Sequence, residues 1–167
     1  MSVAARVISQ AEVPVIVHRP LDTSISGAQP RPVLVGIGDI GSDSVVEFGF
    51  AEASLRGAPL RALHVWSESD ASWAELSADE RDFDHAQREA DRVLCEALRG
   101  WSEKYPDVRV HRATRHSLDV TIALAAASRS SQLAIVGSTR KLVPVGASVS
   151  HALVHCAGCS VAVIRTR

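Results

Sequence analysis

A doubly wound, mainly parallel α/β sheet with helices on both faces is the fold that this sequence predicts. Short apolar or β-branched runs alternate with longer stretches of helical apolar spacing, so that the succession reads βαβαβαβαβ. Two of the runs, PVLVGIG from Pro32 and QLAIVGS from Gln132, are continuously apolar, the mark of strands buried on both faces. Right-handed crossovers turn such a succession into a parallel sheet covered on both sides. Ligands of such sheets sit outside the carboxyl ends of the strands, where the winding reverses.

Each element has its own signal. PVLVGIG ends in glycines, and the turn Gly38-Asp39-Ile40-Gly41 leads to Ser42 or Ser44 as the cap of a helix carrying Val45, Val46, Phe48, Gly49, Ala53 and Leu55. Gly57-Ala58-Pro59 ends that helix, and LRALHVW, from Leu60 to Trp66, is the second strand. After a polar loop over 67–78, one long amphipathic helix is predicted from about Asp79 to Lys104, on the spacing of Phe83, Ala86, Ala90, Val93, Leu94, Ala97, Leu98 and Trp101. Tyr105-Pro106-Asp107 stops it, and VRVHRAT, from Val108, alternates as a third strand. His116-Ser117 opens a helix through Val120, Ile122, Ala123, Leu124 and Ala127. QLAIVGS is the fourth strand, TRKLVPVGA a loop, Ser148 the start of the last helix, and SVAVIR the last strand.

With 167 residues there is room for one domain with a sizeable core. A hydrophobic share of 46% and a charged share of 22% are those of an ordinary globular chain. A net charge of -1 gives no attraction to nucleic acid or anionic lipid, and aromatic residues at 4% offer no stacking platform, so Trp66, Trp73 and Trp101 read as packing. No apolar run reaches membrane-spanning length and no secretory signal opens the chain, so a cytoplasmic location is expected. Cys95, Cys156 and Cys159 are too few for a disulfide framework.

The chain opens with a helix-like stretch, Val3, Val7 and Ile8, followed by a β-branched burst from Val13 to Val17. The same order closes the chain. Shifted by 146 without a gap, Ser2 meets Ser148, Val3 meets Val149, Ala11 meets Ala157, Val15 meets Val161, Val17 meets Val163 and Arg19 meets Arg165. Two readings stand: an imperfect repeat, or an unrelated N-terminal extension. Residues 20–31 are rich in Pro, Ser and Gly and read as a linker, which leaves 1–19 as a separate helix and strand and 32–167 as the α/β domain.

The stretches LRGAPLRALHVW, QLAIVGS and SVSHALVHCAGCSVAVI resemble the corresponding parts of the universal stress proteins, with Val136-Gly137-Ser138, Ser148-Val149-Ser150 and the cysteine before the last strand as the most specific part. The resemblance implies a five-stranded sheet in the order 3-2-1-4-5 and, in one branch, ATP across the ends of strands one and four. It also implies that the last strand pairs antiparallel across a dimer axis and that domains occur in tandem. On that resemblance, 1–19 looks like the tail of a preceding domain. The expected pairing is Val13–Val17 with Ser160–Ile164, either self-capping within the chain or self-association with a second copy.

The candidate nucleotide contacts implied are Gly36, Asp39, Val65, Gly137, Ser138, Arg140, Ser148 and Val149. The family's phosphate pattern is a glycine, two residues, a glycine, nine residues, then glycine and Ser or Thr. Here Gly137 matches, Arg140 replaces the second glycine, the loop to Ser148 is about three residues short, Ala147 stands at the last glycine position, and Pro144 removes a backbone donor. Gly38 also stands where the ATP-binding members place an aspartate, with Asp39 one residue later. Asp39 is therefore either a ribose contact or a turn residue bonding its own backbone. Ser148 is either a phosphate contact or a helix cap, and Arg140 with Lys141 either replaces lost N–H contacts or is solvated.

Other chemistries are open at this point. His151, His155, Cys156 and Cys159 hold four potential metal or redox groups within nine residues, with the two histidines one helical turn apart. Gly36, Gly38 and Gly41 meet a dinucleotide spacing, but the nearest acids, Glu68 and Asp70, come late for a ribose contact. No G-x-S-x-G or H-E-x-x-H is present, so turnover is not expected. The leading expectation is a regulatory, stress-response module acting by dimerisation or association with an unidentified protein partner, with a degenerate adenine-nucleotide site. An ATP-binding domain with a remodelled loop is the alternative, and a zinc or thiol-redox module comes third.

Overall fold

The computed structural model describes residues 3–20, 30–38, 42–67, 83–138 and 148–166. In chain order these form α1 (Val3–Gln10), β1 (Val15–Val17), β2 (Val33–Ile37), α2 (Asp43–Leu55), β3 (Leu60–Trp66), α3 (Phe83–Ala97), α4 (Trp101–Lys104), β4 (Val110–His116), α5 (Val120–Ser128), β5 (Leu133–Ser138), α6 (Val149–Cys156) and β6 (Ser160–Arg165). The sheet has six strands in the order β1-β6-β5-β2-β3-β4. β2 to β6 are mutually parallel and reproduce the expected 3-2-1-4-5 arrangement. β1 joins as a sixth strand, antiparallel to β6.

Alternation along the strands assigns the two faces. Val33, Val35, Ile37, Leu60, Ala62, Leu133, Ile135, Ala162 and Ile164 point to one core with α2, α3 and α4. Leu34, Leu63, Val65, Ala134, Val136, Val161 and Val163 point to the other, under α1, α5 and α6. That period of two is what a sheet sandwiched between helix layers requires. Gly49 lets α2 lie directly on β2, because a Cβ there would overlap the Val35 side chain. α2 ends as its sequence predicts: Gly57 takes a φ of +55°, Gly57 N–H donates to Ser54, and Ala58 N–H donates to Ala53.

Three expectations are corrected. The long helix breaks at Gly100, whose φ of +78° no helix accommodates, giving α3 and then the short α4. Trp101 beyond the break stacks on Phe50 with ring centroids 5.9 Å apart, so the apolar rhythm continues although the helix does not. The third strand lies at 110–116 rather than 108–114, and as an edge strand most of its residues are exposed. The N-terminal strand covers Val15–Val17 only, paired within the chain to Val161–Val163. The early end of the long helix, the linker 21–29, Trp73, Glu68 and Asp70 fall outside the described residues. Among the described residues no helix is long and apolar enough to cross a membrane.

Candidate functional site

The winding reverses between β2 and β5. From β2 the chain runs through α2 to β3 on one side, and from β5 through α6 to β6 on the other. At the carboxyl ends of these two strands lies a cleft of about 210 Å³. Gly36 and Gly38 come from β2 and its end, Val136 and Gly137 from β5, Leu63 and Val65 from β3, Val120 and Leu124 from α5, Val149 from α6, and Ser42 and Val45 from the start of α2. Thr166, just past β6, also lines it.

Of the residues expected from the sequence, Gly36, Val65, Gly137 and Val149 are thus brought together. Ser138 and Ser148 adjoin lining residues in sequence without lining the cleft themselves. Ser138 continues the sheet opposite Arg165, and its carbonyl accepts from Thr166 N–H at 3.0 Å. Asp39 and Arg140 lie outside the described residues.

The capping role expected of the serines is corrected. Ser148 occupies the N-cap position of α6 but makes no side-chain cap; its hydroxyl lies 2.8 Å from that of Ser150. Ser42, at the head of α2, donates to the Gly38 carbonyl at 2.9 Å instead of accepting from the helix. Asp119 supplies a true cap, its carboxylate accepting from Ile122 N–H at 3.1 Å at the head of α5.

No charged side chain lines the cleft among the described residues. Its polarity comes from the hydroxyls of Ser42 and Thr166 and from backbone at the glycines. The glycines themselves are closely approached: a Cβ on Gly137 would stand 3.0 Å from Thr166 Cγ2 and 3.3 Å from Val45 Cγ2. One on Gly36 would stand 3.1 Å from Val136 Cγ1 and 3.3 Å from Leu124 Cδ2. Thr166 had no sequence signal, since it lies beyond the last strand and far along the chain from Gly137.

The histidine and cysteine stretch does not converge. Among the described residues no three His, Cys, Asp or Glu side chains gather as a metal site. The Cys156 thiol is exposed and donates to the Ala152 carbonyl, whereas Cys159 is fully buried and donates to that of Ser160. Burial pushes the Cys159 thiol up to about 11, with the surrounding backbone hydrogen bond and arginines pulling the other way. A thiol so held is a poor ligand or nucleophile at neutral pH.

A Rossmann-like α/β domain, with its cleft where doubly wound sheets hold ligands, is the class that these features define. Residues 30–165 match the model of the universal stress protein family, and the chain belongs to that family. It is 39% identical over 168 residues to a universal stress protein of Mycobacterium tuberculosis, an alignment that takes in 98% of this chain and 55% of the relative. Another universal stress protein of that organism is 35% identical over 139 residues, covering 82% and 45%. The chain therefore spans about half the length of these relatives. Among solved structures, a universal stress protein of Archaeoglobus fulgidus aligns at a TM-score of 0.66 and 18% identity, over 99% of this chain and 54% of that one. One from Burkholderia pseudomallei aligns at 0.61 and 21%, over 83% and 98%.

Proposed function

We propose that this universal stress protein domain is a regulatory module that works by association, without turnover, and that its switch-point cleft is a reduced adenine-nucleotide site. The observation carrying this reading is how the cleft glycines are used. Glycine allows close approach of a phosphate to backbone N–H groups. Here the room beside Gly137 is taken by methyl groups of Thr166 and Val45, and that beside Gly36 by Val136 and Leu124. A cavity of about 210 Å³ also falls below the roughly 300–1,000 Å³ usual for small-molecule sites. Its apolar walls suit a flat base better than a triphosphate. No acid or base lines it among the described residues, so none of these activates water. Association is expected at the margin formed by β1 and β6, where the sheet carries its short apolar strand.

Calorimetric titration with adenosine, AMP and magnesium ATP tests this. The expected result is weak binding of similar strength for all three. ATP binding a hundredfold more tightly than adenosine, about 2.7 kcal/mol of phosphate recognition, would overturn it. A structure solved as a universal stress protein in complex with cAMP shares the fold at a TM-score of 0.52, which makes cAMP a sensible fourth probe.

ATP binding through a loop remodelled around Arg140 is the second reading. Favouring it is Ser148, which holds the N-cap position of α6 without a side-chain bond to the helix backbone, the place where a phosphate oxygen would be favoured. Tight ATP binding abolished by Ser148→Ala with Arg140→Ala would establish this reading in place of the first.

A further inference from the structure

The shift of 146 that relates the two ends of the sequence also relates them in space. Moved by that amount, α1 coincides with α6 from first residue to last, and β1 falls inside β6. Their pairing is what a two-fold axis would generate. Ile16 faces Ala162, its own counterpart; Val15 faces Val163, the counterpart of Val17; and Val17 faces Val161, the counterpart of Val15.

Two arginines cross the same axis, although their acceptors are not counterparts: Ala11 corresponds to Ala157, and Val154 and His155 to Ile8 and Ser9. Arg19 and Arg165 are counterparts, and each leaves its own strand for the helix end of the opposite half. Arg19 Nη2 donates to the carbonyls of Val154 and His155, at 2.8 and 3.1 Å, in the last turn of α6. Arg165 Nη2 donates to the Ala11 carbonyl, at 3.1 Å, just beyond α1. Carbonyls at a helix C-terminus lack intrahelical donors and carry partial negative charge, so a guanidinium is well placed there. Ser160 adds a contact on one side only: its hydroxyl accepts from Arg19 N–H at 3.0 Å, whereas its counterpart, Pro14, has no hydroxyl.

Apolar alternation alone does not choose this pairing. Val15 and Val17 pack under the α1 and α6 layer, and Ile16 turns to the other face. A slip by two residues keeps every side chain on its face. It would, however, carry each arginine about 7 Å along its strand, out of reach of its carbonyls.

We propose that Arg19 and Arg165 are the specificity-determining pair of a two-fold docking surface on α6 and β6, whose occupant is this chain's own α1–β1 tail. The surface accepts a helix followed by a strand only when an arginine lies two residues past the strand's end, and it admits that strand in one register. The inference is independent of the nucleotide site.

Disulfide trapping in the full chain, carrying Cys95→Ser and Cys156→Ser, reads the register directly. Ile16→Cys with Ala162→Cys reports the observed pairing. Ile16→Cys with Ile164→Cys reports a slip by two on the same face. With both arginines present, the first pair should close at least tenfold faster under mild oxidation. Arg19→Ala with Arg165→Ala should bring the two rates within about twofold, and lysine at both positions should restore most of the preference. An unchanged ratio in the alanine variant overturns the proposal. So does equal loss of both disulfides, since the arginines would then hold the tail without choosing its register. A disulfide-linked dimer in place of the intrachain bond overturns the assignment of the occupant. Continued protection of Cys159 from thiol reagents verifies that each variant is folded.

Discussion

The two margins of the sheet are built on different principles. β4 pairs with β3 over seven residues, from Leu60 opposite Val110 to Trp66 opposite His116, and displays exposed His111, Arg112 and Arg115. Charge on an open edge deters a further strand. β1 pairs over three residues, none of them charged, and Ile16 is 48% exposed. Its position depends on contacts beyond the strand: Ile8 of α1 buried in the core that α5 and α6 share, Arg19 and Arg165 on the helix ends, and Ser160 on the Arg19 backbone. One margin is held by the length of its ladder and guarded by charge, the other by anchors at its ends.

The comparison can be broken most forcefully at the anchors in the core. Leu94→Ala, beneath the β4 side, should cost about 2–5 kcal/mol of global stability in urea unfolding. Ile8→Ala removes a similar buried volume but should act locally, with hydrogen-exchange protection lost at the β1 amides that face β6 and kept at Leu133–Val136. Equal losses of global stability from the two substitutions would show that the margins do not differ in this way.

A pH series sharpens the contrast at lesser amplitude. The folded Cys159 thiol is pushed up to about 11 by burial, against an unfolded value of about 8.5. Above roughly pH 9 the unfolded chain therefore gives up a proton that the folded chain keeps, and stability falls as pH rises towards 11. Cys159→Ala should remove that component of the slope. Thiol reagents should label exposed Cys95 and Cys156 in the native protein and spare Cys159.

The smallest stability effect belongs to the guarded margin. Arg115→Val should change the unfolding free energy by no more than about 0.5 kcal/mol yet raise light scattering as the protein concentration increases. Unchanged scattering would mean that charge is not what keeps β4 unpaired.

Much of this architecture was legible because buried parallel strands announce themselves. Val33–Ile37 and Leu133–Ser138 are apolar on both faces, and Gly57 marks the end of α2. The break at Gly100 was masked because Trp101 returns to the same core and keeps the period intact. β4 was misplaced by two residues because, at an edge, neither face demands apolar residues. Of the cleft's lining, Gly36, Val65, Gly137 and Val149 were legible. Thr166 was not, because a contact between two strand ends brought together by the sheet leaves no spacing in the sequence. Nor could the repeat alone reveal that Arg19 and Arg165 cross between halves, although their identity at the shared offset was the trace of it.

The antiparallel placement of β1 against β6 brings opposite ends of the chain side by side, with Ala11 bonded to Arg165. A load applied to those ends would meet the β1–β6 rungs in sequence instead of all together. The margin would peel open like a zip under modest force, long before the parallel strands behind it began to shear.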